Sequence, residues 1–119
     1  MAALDFTSFY ESAVVTSTTA DAGADVVYTV PSSHDAQVTL LIGANGGSTH
    51  TFSIQVYHAD TTLYSYILRA HSVSGGESYN VLGSSTLYLH AGDKVLAHYS
   101  AGTLDVSISG KQFYNPARS

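Results

Sequence analysis

Apolar and polar residues alternate along most of the chain with a period of two, which is the pattern of strands that bury one face. The clearest stretch is 87–112, where three alternating segments are separated by turn-forming residues at 91–93 and 101–102. This stretch predicts three strands that follow one another as a meander. Because a strand with one apolar face must cover that face, the pattern indicates a sandwich or a closed barrel.

The same alternation predicts further strands upstream. The Asn-Gly-Gly segment at 45–47 predicts a hairpin turn, because Asn and Gly adopt positive φ at little cost. Pro31 ends a short strand, since proline cannot donate to a ladder. The predicted strands span 25–30, 36–44, 49–58, 63–71 and 77–82. The side chains expected in the core are Phe52, Ile54, Val56, Leu104, Val106 and Ile108.

The number and spacing of the strands define the fold class. About eight or nine strands at intervals of about 8–12 residues, with no convincing helix, predict an all-β, single-domain antiparallel β-sandwich with jelly-roll connections. A chain of 119 residues is long enough for one such domain. We divide it into an N-terminal arm with an edge strand (1–24), the sandwich (25–114) and a C-terminal tail (115–119).

The N-terminal arm is apolar, although it precedes the first clear strand. An apolar segment outside a sandwich needs a surface to cover, and we expect that surface to belong to a neighbouring subunit. The alternative is that Phe6 and Phe9 fold back and plug the open end of their own sandwich. The candidate partner contacts are Leu4, Phe6, Phe9 and Tyr10.

Charge and composition narrow the choice of partners. Four Lys and Arg stand against nine Asp and Glu, a formal net charge of −5, which argues against nucleic acid. The absence of cysteine excludes disulfides and thiolate metal sites. No window approaches the roughly 18 apolar residues of a membrane helix, so we expect no membrane contact. Asp5 and Glu11 lie where a secretory signal would be apolar, so we expect synthesis in a cytoplasm.

The surface is expected to be polar but weakly charged. Charged residues make up 11% of the chain, less than half of the share in a typical domain, while Ser, Thr and Tyr are abundant. Soluble domains usually intersperse Lys and Glu on their surface, so this composition indicates a surface that partners cover. The alternative is that strands simply use Thr and Tyr often.

Two groups of residues have side chains that suit catalysis or metal binding. The Ser-His-Asp triplet at 33–35 has the residue types of a hydrolase triad, but a triad is a spatial arrangement that three consecutive residues cannot form by themselves. His90, Asp93 and His98 could assemble a zinc site across strands. The simpler interpretation is that Asp93 accepts hydrogen bonds from the backbone of its own turn. We therefore expect no catalytic residue, metal or cofactor.

The tyrosines suggest a different kind of site. The chain has nine of them, and flat rings with wet hydroxyls can stack on sugars. Half of the residues of any strand must face inward, so several of these tyrosines are expected in the core. Those in the central strands are Tyr57, Tyr64, Tyr66, Tyr88 and Tyr99.

A series of short motifs follows in a fixed order between Val26 and Gln112. They are Tyr28-Thr-Val-Pro31, a strand ending near Ala44-Asn45, the strand Phe52–Tyr57, Leu89-His-Ala-Gly-Asp93 and Gly102–Ser109. In this order they resemble small β-sandwich proteins of tailed-bacteriophage virions. They are folding motifs, and both termini stay unmatched.

The resemblance implies a non-enzymatic structural protein of a phage particle: a decoration or cement protein bound to the head lattice. The alternative is a tail or fibre adhesion module that binds host-surface carbohydrate. The phrase Leu89–Asp93 is also similar to one in the trimeric jelly-roll heads of the tumour-necrosis-factor and complement type, which implies a homotrimer. The implied partners are capsid or other virion proteins, and the implied location is the virion.

Overall fold

The computed structural model describes residues 6–45 and 47–115, which form two antiparallel sheets packed face to face. The strands are β1 (Phe6–Val15), β2 (Asp25–Thr29), β3 (His34–Ala44), β4 (His50–His58), β5 (Leu63–Val73), β6 (Ser78–Asn80), β7 (Leu87–Leu89), β8 (Lys94–Tyr99) and β9 (Leu104–Tyr114). A 3₁₀ turn, Asp21–Gly23, precedes β2. In these two ranges no helix is long and apolar enough to cross a membrane.

The strands pair as one long hairpin that is rolled into two sheets. Sheet A has the order β1-β9-β3-β6, with β7 also paired to β3, and sheet B has the order β2-β8-β4-β5. The pairs are nested: β1 with β9, β2 with β8, β3 with β6 and β7, and β4 with β5. This nesting sends successive strands of the outer part of the hairpin to alternate sheets, which gives a jelly roll. The predicted antiparallel sandwich is confirmed.

The stretch 87–112 contains its three predicted strands, but they do not form a meander. β7 and β9 both pair with β3 in sheet A, while β8 lies in sheet B between β2 and β4. The turns at 91–93 and 101–102 therefore carry the chain across the core from one sheet to the other. The period of two could not show this, because it gives the buried face of a strand and not its neighbours.

One core lies between the two sheets. All six side chains predicted for it are buried, none with more than 2% of its surface exposed. Ile54 comes from β4 in sheet B and Ile108 from β9 in sheet A, so both inner faces contribute to the same cluster. Full burial of one such side chain stabilises the fold by about 1.5–3 kcal/mol.

Strand β1 begins at Phe6, earlier than the alternation indicated. All ten of its residues pair with β9 in unbroken register. The residues from Phe6 onward are thus the edge strand of sheet A and not an irregular arm, because β9 extends to Tyr114 and supplies ladder partners along the full length. Leu4 and residues 116–119 of the predicted tail lie outside the described residues.

Candidate functional site

Strand β4 builds the middle of an aromatic surface on the outward side of sheet B. Ile54 points into the core, so its neighbour Gln55 and the next alternate residue, Tyr57, lie on the opposite face. In the register of the sheet, Tyr57 stands opposite Lys94 of β8 on one side and Tyr64 of β5 on the other. Directly opposed residues of neighbouring strands bring their side chains into contact.

Tyr66 lies on the same surface as Tyr64, and a bulge in β5 turns Leu68 away from it. The sequence alternation placed Tyr66 and Leu68 on one face, but the register shifts between the pairs Ile54–Leu68 and Gln55–Tyr66 and leaves Ile67 as an extra residue. A residue inserted in this way reverses the alternation beyond it. Leu68 therefore packs against the core, while Tyr66 lies with Gln55 on the outward side.

We call this surface the tyrosine face. It comprises Tyr57, Tyr64, Tyr66, Arg69, Lys94 and His98. The rings of Tyr57 and Tyr64 are in contact, with centroids 4.9 Å apart. The Tyr66 hydroxyl and Nε2 of His98 are hydrogen-bonded at 3.3 Å. All three tyrosines are partly buried, so their rings are held in place yet still accessible.

Two cations rest on rings of the tyrosine face. Cζ of Arg69 lies 4.5 Å from the ring centroid of Tyr66, and Nζ of Lys94 lies 5.4 Å from that of Tyr57. A cation over a tyrosine ring is attracted by the negative face of the ring. These contacts hold the two positive groups against the outward side of sheet B.

A brace from the loop before β2 fixes the centre of the tyrosine face. Gln55 is only 1% exposed; its Nε2 donates to Oδ1 of Asp21, and the Asp21 backbone N–H donates to Oε1 of Gln55, both at 2.8 Å. The loop is itself tied down, since the backbone amides of Thr16 and Ser17 donate to Oδ2 of Asp25. Asp21 and Gln55 lie 34 residues apart in the sequence, and no sequence motif marked them as a pair.

The tyrosine face also perturbs its histidine. Burial lowers the pKa of the His98 imidazole below its ordinary value; the Asp21 carboxylate opposes this effect and the Arg69 cation adds to it. The neutral ring is therefore favoured, and a neutral imidazole has one donor and one acceptor nitrogen for a hydroxyl partner such as that of Tyr66.

The outward side of sheet A forms a second candidate surface, which we call the outer face of sheet A. It comprises Phe6, Tyr10, Val14, Tyr88, Lys111 and Phe113. Tyr10, Val14 and Tyr88 are 64%, 61% and 67% exposed. The Tyr10 hydroxyl donates to Oγ of Ser107 at 3.1 Å, and Nζ of Lys111 lies 4.7 Å from the ring centroid of Phe6. A cleft of about 230 Å³ opens beside Tyr88.

The predicted partner contacts separate into different environments. Phe6 and Tyr10 lie on the outer face of sheet A. Phe9 points the other way and stacks on Tyr28, with ring centroids 4.3 Å apart and an angle of 1° between the planes. For Phe9 this placement fits the alternative that it folds back onto its own sandwich. Leu4 lies outside the described residues.

The Ser-His-Asp triplet does not assemble as a triad. Nδ1 of His34 is hydrogen-bonded to the Ser32 carbonyl at 2.8 Å, and Oδ2 of Asp35 accepts from Nδ2 of Asn115 at 3.0 Å. The Ser33 carbonyl accepts from the Asn115 backbone N–H. These contacts tie the β2–β3 turn to the end of β9, which is a structural role.

Asp93 also has a structural role. Its Oδ2 accepts from the His90 backbone N–H, as expected within its own turn, and its Oδ1 accepts from that of Ala59 in the β4–β5 turn. His98, the third residue of the considered zinc set, lies on the tyrosine face instead. Within 6–45 and 47–115 no three His, Cys, Asp or Glu side chains converge as metal ligands.

Two tyrosines belong to the core, as expected for some of the nine. Tyr28 and Tyr99 are buried, and neither hydroxyl has a hydrogen-bond partner in the described part of the chain. Burial, with a contribution from Glu11, raises the pKa of Tyr28 to about 12, and burial raises that of Tyr99. Both hydroxyls are thus kept protonated in an apolar interior.

Comparisons with protein-family models, with curated proteins and with solved structures find no match to this chain. The two outward surfaces therefore carry the functional argument.

Proposed function

We propose that this protein is a non-enzymatic structural component of a bacteriophage virion, a decoration or cement protein that binds the head lattice. The observation that carries the proposal is the outer face of sheet A, a broad surface on which the large hydrophobic side chains of Tyr10, Val14 and Tyr88 are exposed. Interfaces between proteins are enriched in aromatic residues and depleted of Glu and Lys at their centres. The sequence resemblance to virion β-sandwich proteins supports the same function.

The edge of sheet A supports docking to another protein chain. β1 has ten residues, an unbroken register with β9, no proline and Glu11 as its single charged residue. Edge strands are usually blunted by bulges, prolines or lysines because their free backbone groups pair with other strands. β5, an edge strand of sheet B, has two register shifts and a positive φ at Ala70. The β1 edge is therefore the better place for a partner strand.

The proposed partners are capsid or other virion proteins, and the proposed functional unit is a homotrimer assembled in the virion. In a trimer, each copy can use the β1 edge for its neighbour and the outer face of sheet A for the lattice. Light scattering of the purified protein tests the trimer. A monomer at micromolar concentration, together with single copies on particles, would contradict it.

A second candidate function is an adhesion module of a tail or fibre that binds host-surface carbohydrate. The tyrosine face favours it, because three partly buried tyrosine rings share one surface with hydrogen-bonding and cationic side chains. Such rings offer flat apolar area to a sugar while their hydroxyls remain in contact with water.

Particle binding tests the first candidate. Particles lacking the protein are mixed with the purified wild type or with the triple variant Tyr10→Ser, Val14→Ser, Tyr88→Ser, and bound protein is quantified after sedimentation. We expect an unchanged Tm and at least about a tenfold loss of affinity, because large side chains at an interface centre carry most of its energy. The matched control Tyr64→Ser, on the tyrosine face, should bind as wild type does.

Two results would contradict the first candidate. One is a triple variant that folds and binds particles as tightly as wild type. The other is the absence of the protein from purified particles, measured by mass spectrometry.

A further inference from the structure

The tyrosine face holds more positive charge than the composition of the chain leads one to expect. The chain has four Lys and Arg against nine Asp and Glu. Two of the four, Arg69 and Lys94, lie on this one face, each over a tyrosine ring. An acidic protein has many carboxylates with which to pair its few cations, so two cations on one aromatic surface indicate a negatively charged ligand.

The neighbouring acids have other hydrogen-bond partners or lie in turns. Oδ1 of Asp21 accepts from Gln55 while its carboxylate charge acts on His98, and both oxygens of Asp93 accept from backbone amides. Asp60 lies in the turn between β4 and β5. Among the described residues, the contacts of Arg69 and Lys94 are with rings, and no carboxylate forms an ion pair with either.

We infer that the tyrosine face binds an acidic polysaccharide whose sugars carry carboxylates. The apolar face of a sugar packs on the ring of Tyr64, beside the Tyr57 ring over which Lys94 lies. The Arg69 guanidinium binds a carboxylate through two parallel hydrogen bonds, and Lys94 supplies a point charge at the other end of the face. This inference deepens the second candidate function. It rests on that function because it takes the ligand to be a carbohydrate.

The rigidity of the face supports recognition of a flexible chain. The Asp21–Gln55 brace and the Tyr66–His98 hydrogen bond hold the centre of the surface before any ligand arrives. A preorganised surface loses little side-chain entropy on binding, so more of the contact energy appears as affinity.

The net charge of −5 repels a polyanion at long range, so the salt dependence of the affinity is informative. At physiological ionic strength the Debye length is about 8 Å, so distant acids are screened while a carboxylate in contact with Arg69 is not. Raising salt from low to physiological concentration should weaken binding less than it weakens purely electrostatic adhesion.

The test uses the full chain and three polysaccharides: polygalacturonate, which is carboxylated, dextran sulfate, which is sulfated, and neutral dextran. Affinity is measured by calorimetry at low and physiological salt. We expect binding to polygalacturonate that is at least about tenfold tighter than binding to neutral dextran. Arg69→Gln and Lys94→Gln should each weaken it about fivefold or more by removing a charge-assisted contact.

The chain supplies matched controls. Lys111→Gln removes the same charge, also from above an aromatic ring, on the other sheet, and should bind polygalacturonate within about twofold of wild type. Tyr64→Ala should weaken binding, whereas Tyr88→Ala, on the outer face of sheet A, should not. Thermal melting of each variant checks that it is folded.

Each of the other possible results of the binding experiment refutes a specific part of the proposal. Equal affinity for neutral dextran and polygalacturonate refutes the carboxylate specificity and leaves carbohydrate binding standing. No binding to any of the three refutes both the inference and the second candidate function. Binding to dextran sulfate that is as tight as to polygalacturonate and is unchanged by Tyr64→Ala means adhesion by charge alone, and refutes the role of the rings. Particle binding is measured separately, so the decoration function is judged on its own result.

Discussion

The outward faces of the two sheets differ although both follow from the same alternation. On the outer face of sheet A, Tyr10, Val14 and Tyr88 stand largely in solvent, and the hydrogen bond of Tyr10 to Ser107 is exposed. On the tyrosine face the rings are partly buried, and beneath them Gln55 is almost wholly covered. Gln55 is covered because the loop at 16–24 packs onto sheet B through Asp21, while the rings contact one another and His98.

This difference fits the two proposed kinds of recognition, of a protein surface by sheet A and of a carbohydrate by sheet B. Side chains that are free to move can adapt to a broad protein surface, at a cost in entropy that a large contact area offsets. Side chains that are already fixed suit a small ligand with repeated chemical groups, for which little area is available. The predictions below test this division, beginning with the core that both faces share.

The largest effect is expected in the common core. Ile54→Ala in sheet B and Ile108→Ala in sheet A should each lower the free energy of unfolding by about 2–5 kcal/mol, because each leaves a cavity in close packing. Urea unfolding measures both variants. If one variant unfolded only its own sheet, with the other sheet intact by far-UV dichroism, the single core would be wrong.

The brace of the tyrosine face should contribute the next largest effect. Asp21→Gly leaves Nε2 of Gln55 without its acceptor and should cost about 1–3 kcal/mol. Glycine is chosen because Asp21 has φ of 58°, which glycine adopts without strain. Asp21→Asn keeps the acceptor oxygen, and asparagine also adopts this φ at little cost, so the stability of this variant should be close to that of wild type. Equal losses in the two variants would show that the hydrogen bond is not the cause.

Removing one tyrosine hydroxyl from each face compares them directly. Tyr66→Phe deletes the partly buried hydrogen bond to His98 and should cost about 0.5–1.5 kcal/mol. Tyr10→Phe deletes an exposed hydrogen bond to Ser107 and should change stability by less than about 0.5 kcal/mol. Thermal melting at pH 8 measures both. A larger loss for Tyr10→Phe would reverse the contrast between the faces.

Acid should weaken the tyrosine face, by the smallest of these effects. The unfolded imidazole titrates near pH 6.5, and the folded pKa of His98 is lower through burial, with Asp21 opposing and Arg69 assisting. As pH falls below about 6.5 the unfolded state takes up the proton first, so the free energy of unfolding decreases. His98→Gln should flatten this part of the Tm profile between pH 8 and 5. If the Tm of wild type and that of His98→Gln fell with the same slope, the loss of stability in acid would come from other titratable groups.

The sequence predicted which side chains form the core, but not the side-chain contacts on the outward faces of the sheets. Ile54 and Ile108 were correctly placed because a period of two marks the buried face of β4 and of β9. Leu68 was wrongly grouped with Tyr64 and Tyr66, since a bulge has no residue signature within a strand that is apolar on both sides. The Asp21–Gln55 brace joins residues 34 positions apart, a contact set by the fold alone.

The first strand and the strand neighbours were also beyond the pattern. Phe6 and Tyr10 were assigned to an arm because they precede the first clear alternation, yet the length of β9 gives them ladder partners. Strands β7, β8 and β9 were predicted as a meander, although each pairs with a strand from the first half of the chain. Such long-range pairing depends on the nested topology.

A cryo-EM map of the protein bound to the proposed virion tests both faces most directly. The two faces then receive separate assignments in one experiment. We predict that the β1 edge and the outer face of sheet A are covered by neighbouring virion protein, while the tyrosine face, with Tyr64 and Arg69, points to solvent. A map in which the tyrosine face is covered by virion protein and the outer face of sheet A is bare would contradict the account.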